Sequence, residues 1–270
     1  MTLALALVAG ALIGLSLGAL GGGGSILAVP VLVYVLGQSP AQATTGSLVV
    51  VGVTSLIGAV TAYRAGNVLL ARGAGFGTVA LGGAVVGAKA SAHVPEPVLL
   101  ACFAGLMLVV AAVMMLRRSR GDDGVSRRGE LDDPIITFSP TFACQCPRAV
   151  KVVVTGTVVG LLTGFLGVGG GFLVVPALLL ALALPMEYAA GTSLVVITMT
   201  SAMALAVRAG VGIAPDWWLV VVLTAASAVG ALVGAKLARR TDTRRLQRAF
   251  TVLVLGVAVY TAASALSALL

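Results

Sequence analysis

Residues 21–50 read GGGGSILAVPVLVYVLGQSPAQATTGSLVV, and residues 167–196 read GVGGGFLVVPALLLALALPMEYAAGTSLVV. Laid over each other at an offset of 146, the two stretches agree at thirteen of thirty positions without a gap. A shared bias toward small residues would not preserve that order. Outside the quoted stretches, Arg64-Ala65-Gly66 recurs as Arg208-Ala209-Gly210, and Val86-Gly87-Ala88-Lys89 as Val233-Gly234-Ala235-Lys236. The chain is therefore a duplication, and the repeat bounds the architecture before any single element does.

The solvent of both halves follows from composition. Charged residues make up 10% of the 270-residue chain, hydrophobic ones 59%, and the mean hydropathy is +1.12, whereas a soluble domain carries about a quarter charged residues. No Asp, Glu, Lys, Arg or His occurs from Met1 to Tyr63 or from Val152 to Met186. Runs of that length are transmembrane segments rather than soluble core. The apolar N-terminus lacks the basic leading region of a cleaved signal and aligns with an internal segment, so it is expected to be retained structure.

Between the halves, residues 117–151 contain seven basic and five acidic residues with Pro134, Pro140 and Pro147, the composition of a polar linker. The expected organisation is a first membrane repeat at 1–118, a cytoplasmic linker at 119–148 and a second repeat at 149–270. Each repeat offers a Gly-interrupted apolar stretch, Thr2 to Leu36 or Val152 to Leu184, followed by three spans. These spans are Thr44–Tyr63, Arg72–Ala92 and Pro97–Leu116, then Tyr188–Val207, Trp217–Ala235 and Gln247–Leu269. About 20 residues each suffices for about 30 Å of hydrocarbon.

With the linker in the cytoplasm, alternation places fifteen of the seventeen basic residues on its side, which sets the orientation by the positive-inside rule. Only Lys89 and Arg208 fall outside, and Trp217 and Trp218 begin a span at the outer interface. The Gly-interrupted stretch must then begin and end on one side, so each half makes an odd number of crossings and the two halves insert oppositely. The expected fold is all-α, a polytopic transmembrane helical bundle of two inverted-topology repeats with Gly-broken or re-entrant helices, both termini outside. Whether the Gly-interrupted stretches cross fully or only to half depth stays open.

The candidate chemistry lies at the glycines. Gly21 to Gly24 and Gly167-Val168-Gly169-Gly170-Gly171 interrupt helices at matched places, because each glycine costs about 1 kcal/mol in a helix interior. Free backbone groups at membrane depth are tolerated only against protein or a wet cavity. A helix restarting just after the glycines, from Ser25 in the first half, aims N–H groups and a positive dipole end at that cavity, an arrangement suited to an anion. Close helix packing is the competing use of such glycines. A second matched pair, Thr44-Thr45-Gly46-Ser47 and Ala190-Gly191-Thr192-Ser193, opens the next span, with Ser55 and Ser201 two turns on. Thr45, Ser47, Thr192 and Ser193 offer neutral donors to oxyanion oxygens, with helix capping as the alternative. Lys89 and Arg208, and their counterparts Lys236 and Arg64, are candidate charges at the two pathway mouths, with snorkelling as the plainer reading.

No acid or His falls at mid-span, which disfavours a carboxylate relay or a metal cage. His93 is a loop residue at a span end. Cys144 and Cys146 make half a zinc site at most, and Cys102 lies in an apolar span. No phosphate-binding loop and no nucleophile with an adjacent base is present, so the reading is not an enzyme, with no cofactor. The basic residues are distributed as loop charges, not as a nucleic-acid face. The partners are the bilayer and a small anion, with no signal for oligomeric state.

At these residues the chain resembles the sulfite exporter TauE/SafE family of membrane permeases. Gly21 to Pro30, Gly167 to Pro176, Ala190-Gly191-Thr192-Ser193 and the duplicated layout carry the likeness, which spares only the linker. The resemblance implies secondary or uncoupled export of sulfur-containing oxyanions such as sulfite or organosulfonates. It carries substrate contacts onto Gly21, Gly23, Gly24, Gly167, Gly169, Gly170, Gly171, Thr192 and Ser193. The first half departs from the Ala-Gly-Thr-Ser form, which implies an asymmetric site. The rival readings are a non-transporting scaffold or assembly subunit acting through the linker, and a permease for another small ion.

Overall fold

A computed structural model of the chain describes residues 2–91, 146–166, 171–181, 184–208 and 215–238, with short pieces between 102 and 112 and between 240 and 256. The expected spans Pro97–Leu116 and Gln247–Leu269, the linker up to residue 145, and His93 lie mostly or wholly outside the described residues. All described regular structure is helical. The first half contains α1 (Thr2–Leu20), a 3₁₀ turn (Gly22–Gly24), α2 (Ser25–Pro30), a π turn (Val31–Val35), α3 (Pro40–Arg64) and α4 (Leu70–Ser91). The second contains α5 (Cys146–Leu166), α6 (Gly171–Ala181), α7 (Met186–Arg208) and α8 (Trp217–Ala238).

Local chemistry accounts for the element ends. Ser39 caps α3, its hydroxyl accepting the Gln42 amide at 3.4 Å, and Pro40 fills the first turn, where its missing N–H costs nothing. At the other end Gly66, at φ 76°, turns the chain while the Asn67 amide donates to the Ala62 carbonyl. Asp216 caps α8 through the amides of Trp218 and Leu219. Pro30 has no N–H and crowds the preceding turn, and the helix widens into π geometry immediately after it.

Five described helices are long and apolar enough to cross a membrane: α1, α3, α4, α7 and α8. Their outward faces carry exposed apolar side chains such as Val8, Leu56, Val86 and Val229, a surface that only lipid or protein satisfies. The polytopic all-α bundle read from the sequence is the observed architecture. α3 begins four residues before the expected Thr44, and α7 two before Tyr188. Consequently Thr45, Ser47, Thr192 and Ser193 sit in the second turn, past the unpaired amides of each helix start.

Two seams of small residues hold the bundle. α1 lies on α8, and α4 on α5, in the closest helix pairings of the molecule. A Cβ added at Gly14 or Gly18 would run into the backbone of Ser227 or Ala231, and one at Gly160 or Gly164 into that of Ala80 or Ala84. The partner helices answer with Gly230 and Gly234, and with Gly83 and Gly87. Spacing of four keeps each set on one helix face, the small-xxx-small geometry of membrane helices. Ascending numbers on both partners show that the helices of each seam run parallel. α3 and α7 instead cross antiparallel, since Gly52 meets Ser201 and Gly58 meets Leu194.

Candidate functional site

Beside α7 the 3₁₀ turn at Gly22–Gly24 meets the start of α6. α1 stops at Leu20 and Gly21 follows at φ 71°, ψ −119°, a conformation open to few residues with a side chain. Space imposes the same choice, because a Cβ on Gly21 would lie 2.7 Å from Ser193 Oγ and 2.8 Å from the Ala190 carbonyl oxygen. Gly22, Gly23 and Gly24 form the buried 3₁₀ turn, and Ser25 Oγ donates to the Gly22 carbonyl at 2.7 Å. Across from it, a Cβ on Gly171 would fall 2.5 Å from Ser25 Oγ and 2.9 Å from Ile197 Cδ1. Ser25 and Gly171, which open α2 and α6, are thus in direct contact and fully enclosed. Gly167, Gly169 and Gly170 lie outside the described residues.

The hydroxyls divide into two groups. Ser47 and Ser193 donate to the carbonyls of Thr44 and Ala190 at 2.8 and 2.7 Å, the back-bonding usual within helices. Thr45 is buried and has a partner of its own. The Thr192 hydroxyl, also buried, accepts the Leu69 amide at 3.1 Å and so ties α7 to the start of α4. Thr192→Val keeps the shape but strands that amide, a loss of about 1–3 kcal/mol. The expected result is a lowered melting temperature in detergent and slower flux, with Thr192→Ser close to wild type.

Thr54, Ser55 and Ser201 behave differently. All three are at most 1% exposed, yet their hydroxyls have no hydrogen-bond partner, an unusual condition for buried polar groups. Thr54 and Ser55 lie on α3 between Gly52, which meets Ser201 of α7, and Gly58, which meets Leu194. Sequence reasoning singled out Ser55 and Ser201 but missed Thr54, whose type and spacing match those of ordinary back-bonded threonines. It also missed Gln38, buried just before α3 with both side-chain amide atoms unpartnered.

A cavity of about 230 Å³ opens at the end of the bundle where α3 and α8 finish, and it reaches Gly58, Ala190 and Leu194. Ala65 and Ala235 line it as well, and their neighbours Arg64 and Lys236 are exposed. Lys89, also exposed, is near the end of α4, and Arg208 ends α7. α4 and α7 run parallel, Gly73 meeting Thr192 and Gly77 meeting Met199, so these two positions share the opposite end. Among the described residues no three His, Cys, Asp or Glu side chains gather as a metal site.

Over residues 6–261 the sequence matches the family described as sulfite exporter TauE/SafE. The chain belongs to that family. TauE/SafE proteins are transporters rather than enzymes, and this chain is a multi-pass membrane transporter of the TauE/SafE type. Relatives agree with this assignment. A probable membrane transporter protein of Xylella fastidiosa strain Temecula1 is 31% identical over 254 residues, covering 93% of this chain and 91% of its own. The probable membrane transporter protein YdhB of Bacillus subtilis strain 168 is 27% identical over 229 residues, covering 83% and 86%. The probable membrane transporter protein y4hK of Sinorhizobium fredii is 33% identical over 170 residues, covering 60% and 58%. No solved structure matches the sequence.

Proposed function

We propose that this TauE/SafE protein is a secondary transporter of small sulfur-containing oxyanions such as sulfite or organosulfonates, working by alternating access of two inverted-topology repeats. The observation that carries the reading is the buried contact of Ser25 with Gly171. These positions are 146 apart, the repeat offset, so they are equivalent residues that meet each other. Such self-contact is expected where a pseudo-two-fold axis relates the halves. The antiparallel crossing of α3 and α7, also repeat equivalents, supports opposite insertion. So does the recurrence of the α1–α8 seam as the α5–α4 seam when the halves are exchanged.

In this reading the glycine-led turns are broken helices whose free amides face one shared substrate. Candidate contacts are Gly21, Gly23, Gly24, Ser25, Ser47, Gly167, Gly169, Gly170, Gly171 and Ser193. Thr45 and Thr192 complete the set, the Thr192 hydroxyl keeping its own proton to donate while it accepts the Leu69 amide. The cavity beside Arg64 and Lys236 is the cytoplasmic vestibule, and Lys89 with Arg208 marks the outer mouth. Both positive pairs concentrate anions at low ionic strength. Residues 119–148 are the cytoplasmic linker, joining repeats 1–118 and 149–270 whose termini face outward.

Reconstitution tests the substrate claim. Liposomes containing the protein are expected to release sulfite or a small sulfonate down its gradient faster than empty liposomes. Failure with every sulfur oxyanion tried would remove the substrate claim and leave the architecture intact.

A further inference from the structure

Thr54, Ser55 and Ser201 are buried hydroxyls without partners at the point where the two halves cross. Several other hydroxyls in the described helices are satisfied locally: Thr61, Thr163, Thr198, Thr200 and Thr224 each donate to a carbonyl three or four residues earlier. Ser227 reaches across a seam to the Gly10 carbonyl. A serine or threonine inside a helix always has a carbonyl within reach of one rotamer. Three buried hydroxyls in this region that leave those carbonyls alone are donors held for something else.

The charge inventory of the surroundings sets what that can be. No charged residue occurs from Met1 to Tyr63, from Val152 to Met186 or from Tyr188 to Val207. Those ranges contain α1, α2 and α6, all of α3 except Arg64, and α7 from Tyr188 to Val207; α4 and α8, which pack on α7 and α3, carry only Arg72, Lys89 and Lys236, all in their end turns. An anion in this place receives hydrogen bonds but no opposing formal charge. Desolvation cost rises with the square of the charge, so a dianion pays about four times the penalty of a monoanion of similar size. Hydroxyl donors at about 1.5–3 kcal/mol each to a charged acceptor can offset the smaller penalty but not the larger.

We infer that Thr54, Ser55 and Ser201 form a charge-selective binding site that accepts oxyanions only as monoanions. This rests on the transport reading above and sharpens it: sulfite crosses as hydrogen sulfite, sulfonates cross in their ordinary singly charged form, and sulfate is refused.

The test uses the full-length chain in liposomes, with rates in empty liposomes subtracted and three probes. Methanesulfonate is a monoanion throughout the working range, sulfate a dianion, and sulfite changes from one to the other near neutrality. The expected result is methanesulfonate flux independent of pH, sulfite flux that falls as pH rises in proportion to the remaining monoanion, and sulfate flux at least tenfold below methanesulfonate. Ser55→Ala with Ser201→Ala should lower methanesulfonate flux at least tenfold in protein that remains monodisperse, and Thr54→Val severalfold. Sulfite flux that tracks the dianion, sulfate moving as fast as methanesulfonate, or a double variant at wild-type rate would each overturn the inference while leaving the transport of sulfur oxyanions in place. Absence of flux for methanesulfonate and sulfite alike would overturn both.

Discussion

Gly21→Val is expected to reduce flux at least a hundredfold while the protein still inserts and purifies. Two independent constraints converge on this residue. Its φ of 71° with ψ of −119° is a backbone state that costs a β-branched residue on the order of 1–3 kcal/mol. Its missing Cβ is also where Ser193 Oγ and the Ala190 carbonyl approach to 2.7 and 2.8 Å. Relief of either conflict moves the 3₁₀ turn away from α7 and separates Ser25 from Gly171. The seams lie elsewhere, so the helices should still assemble. Flux per incorporated protein molecule, with size-exclusion behaviour as the folding control, reads this out. Wild-type flux in Gly21→Val would show that the turn has no part in the pathway.

The second large effect concerns assembly. Gly14→Leu places a branched side chain where the backbone of Ser227 already sits, and no flexible neighbour can yield. Parting α1 from α8 loses close-packed dispersion along the whole seam, the main attraction between helices in lipid. Overpacking of this kind costs about 3 kcal/mol, equivalent to a fall of roughly 10 °C in melting temperature for a chain of this length. Gly82→Leu is the matched control. It adds the same side chain at an exposed helical glycine with nothing within 4 Å, and it should melt within about 2 °C of wild type. Equal destabilisation by both would mean that the added side chain itself, not the close approach of α8 at Gly14, lowers stability.

Much of this architecture is legible in the residues because a membrane leaves few choices. Long uncharged runs announce helices, and α3, α4, α7 and α8 start and end within a few residues of where hydropathy puts them. α3 starts a full turn before the hydrophobic boundary because Ser39-Pro40 is a strong cap and first turn. The dual use of glycine is harder to read. Gly10, Gly14 and Gly18 show a spacing of four, as do Gly156, Gly160 and Gly164, but a spacing does not name its partner. Only the folded chain shows that α8 and α4 present glycines back. The glycines at 21–24 differ by occupying a turn rather than a seam, and Gly171 by opening α6.

Hydroxyls are the least legible. Thr54 and Thr200 occupy equivalent positions in the repeats, yet Thr200 donates to Val196 and Ile197 while Thr54 donates to nothing. Sequence supplies the same residue type at both, and the difference arises from rotamer and neighbour. Thr192 shows the converse. Its place in the Ala-Gly-Thr-Ser motif suggests a substrate contact, and its hydroxyl also accepts the Leu69 amide, a tie to the start of α4 that the motif does not announce.

The central claim, that equivalent turns of the two halves meet around the transported anion, is tested most directly by joining them. In a background with Cys102, Cys144 and Cys146 replaced by serine, the pair Ser25→Cys and Gly171→Cys brings two thiols together at the contact. A disulfide is expected to form readily in the membrane, methanesulfonate to slow its formation severalfold, and flux to stop on cross-linking and return on reduction. Unchanged flux after complete cross-linking, or no cross-link in active protein, would contradict the claim.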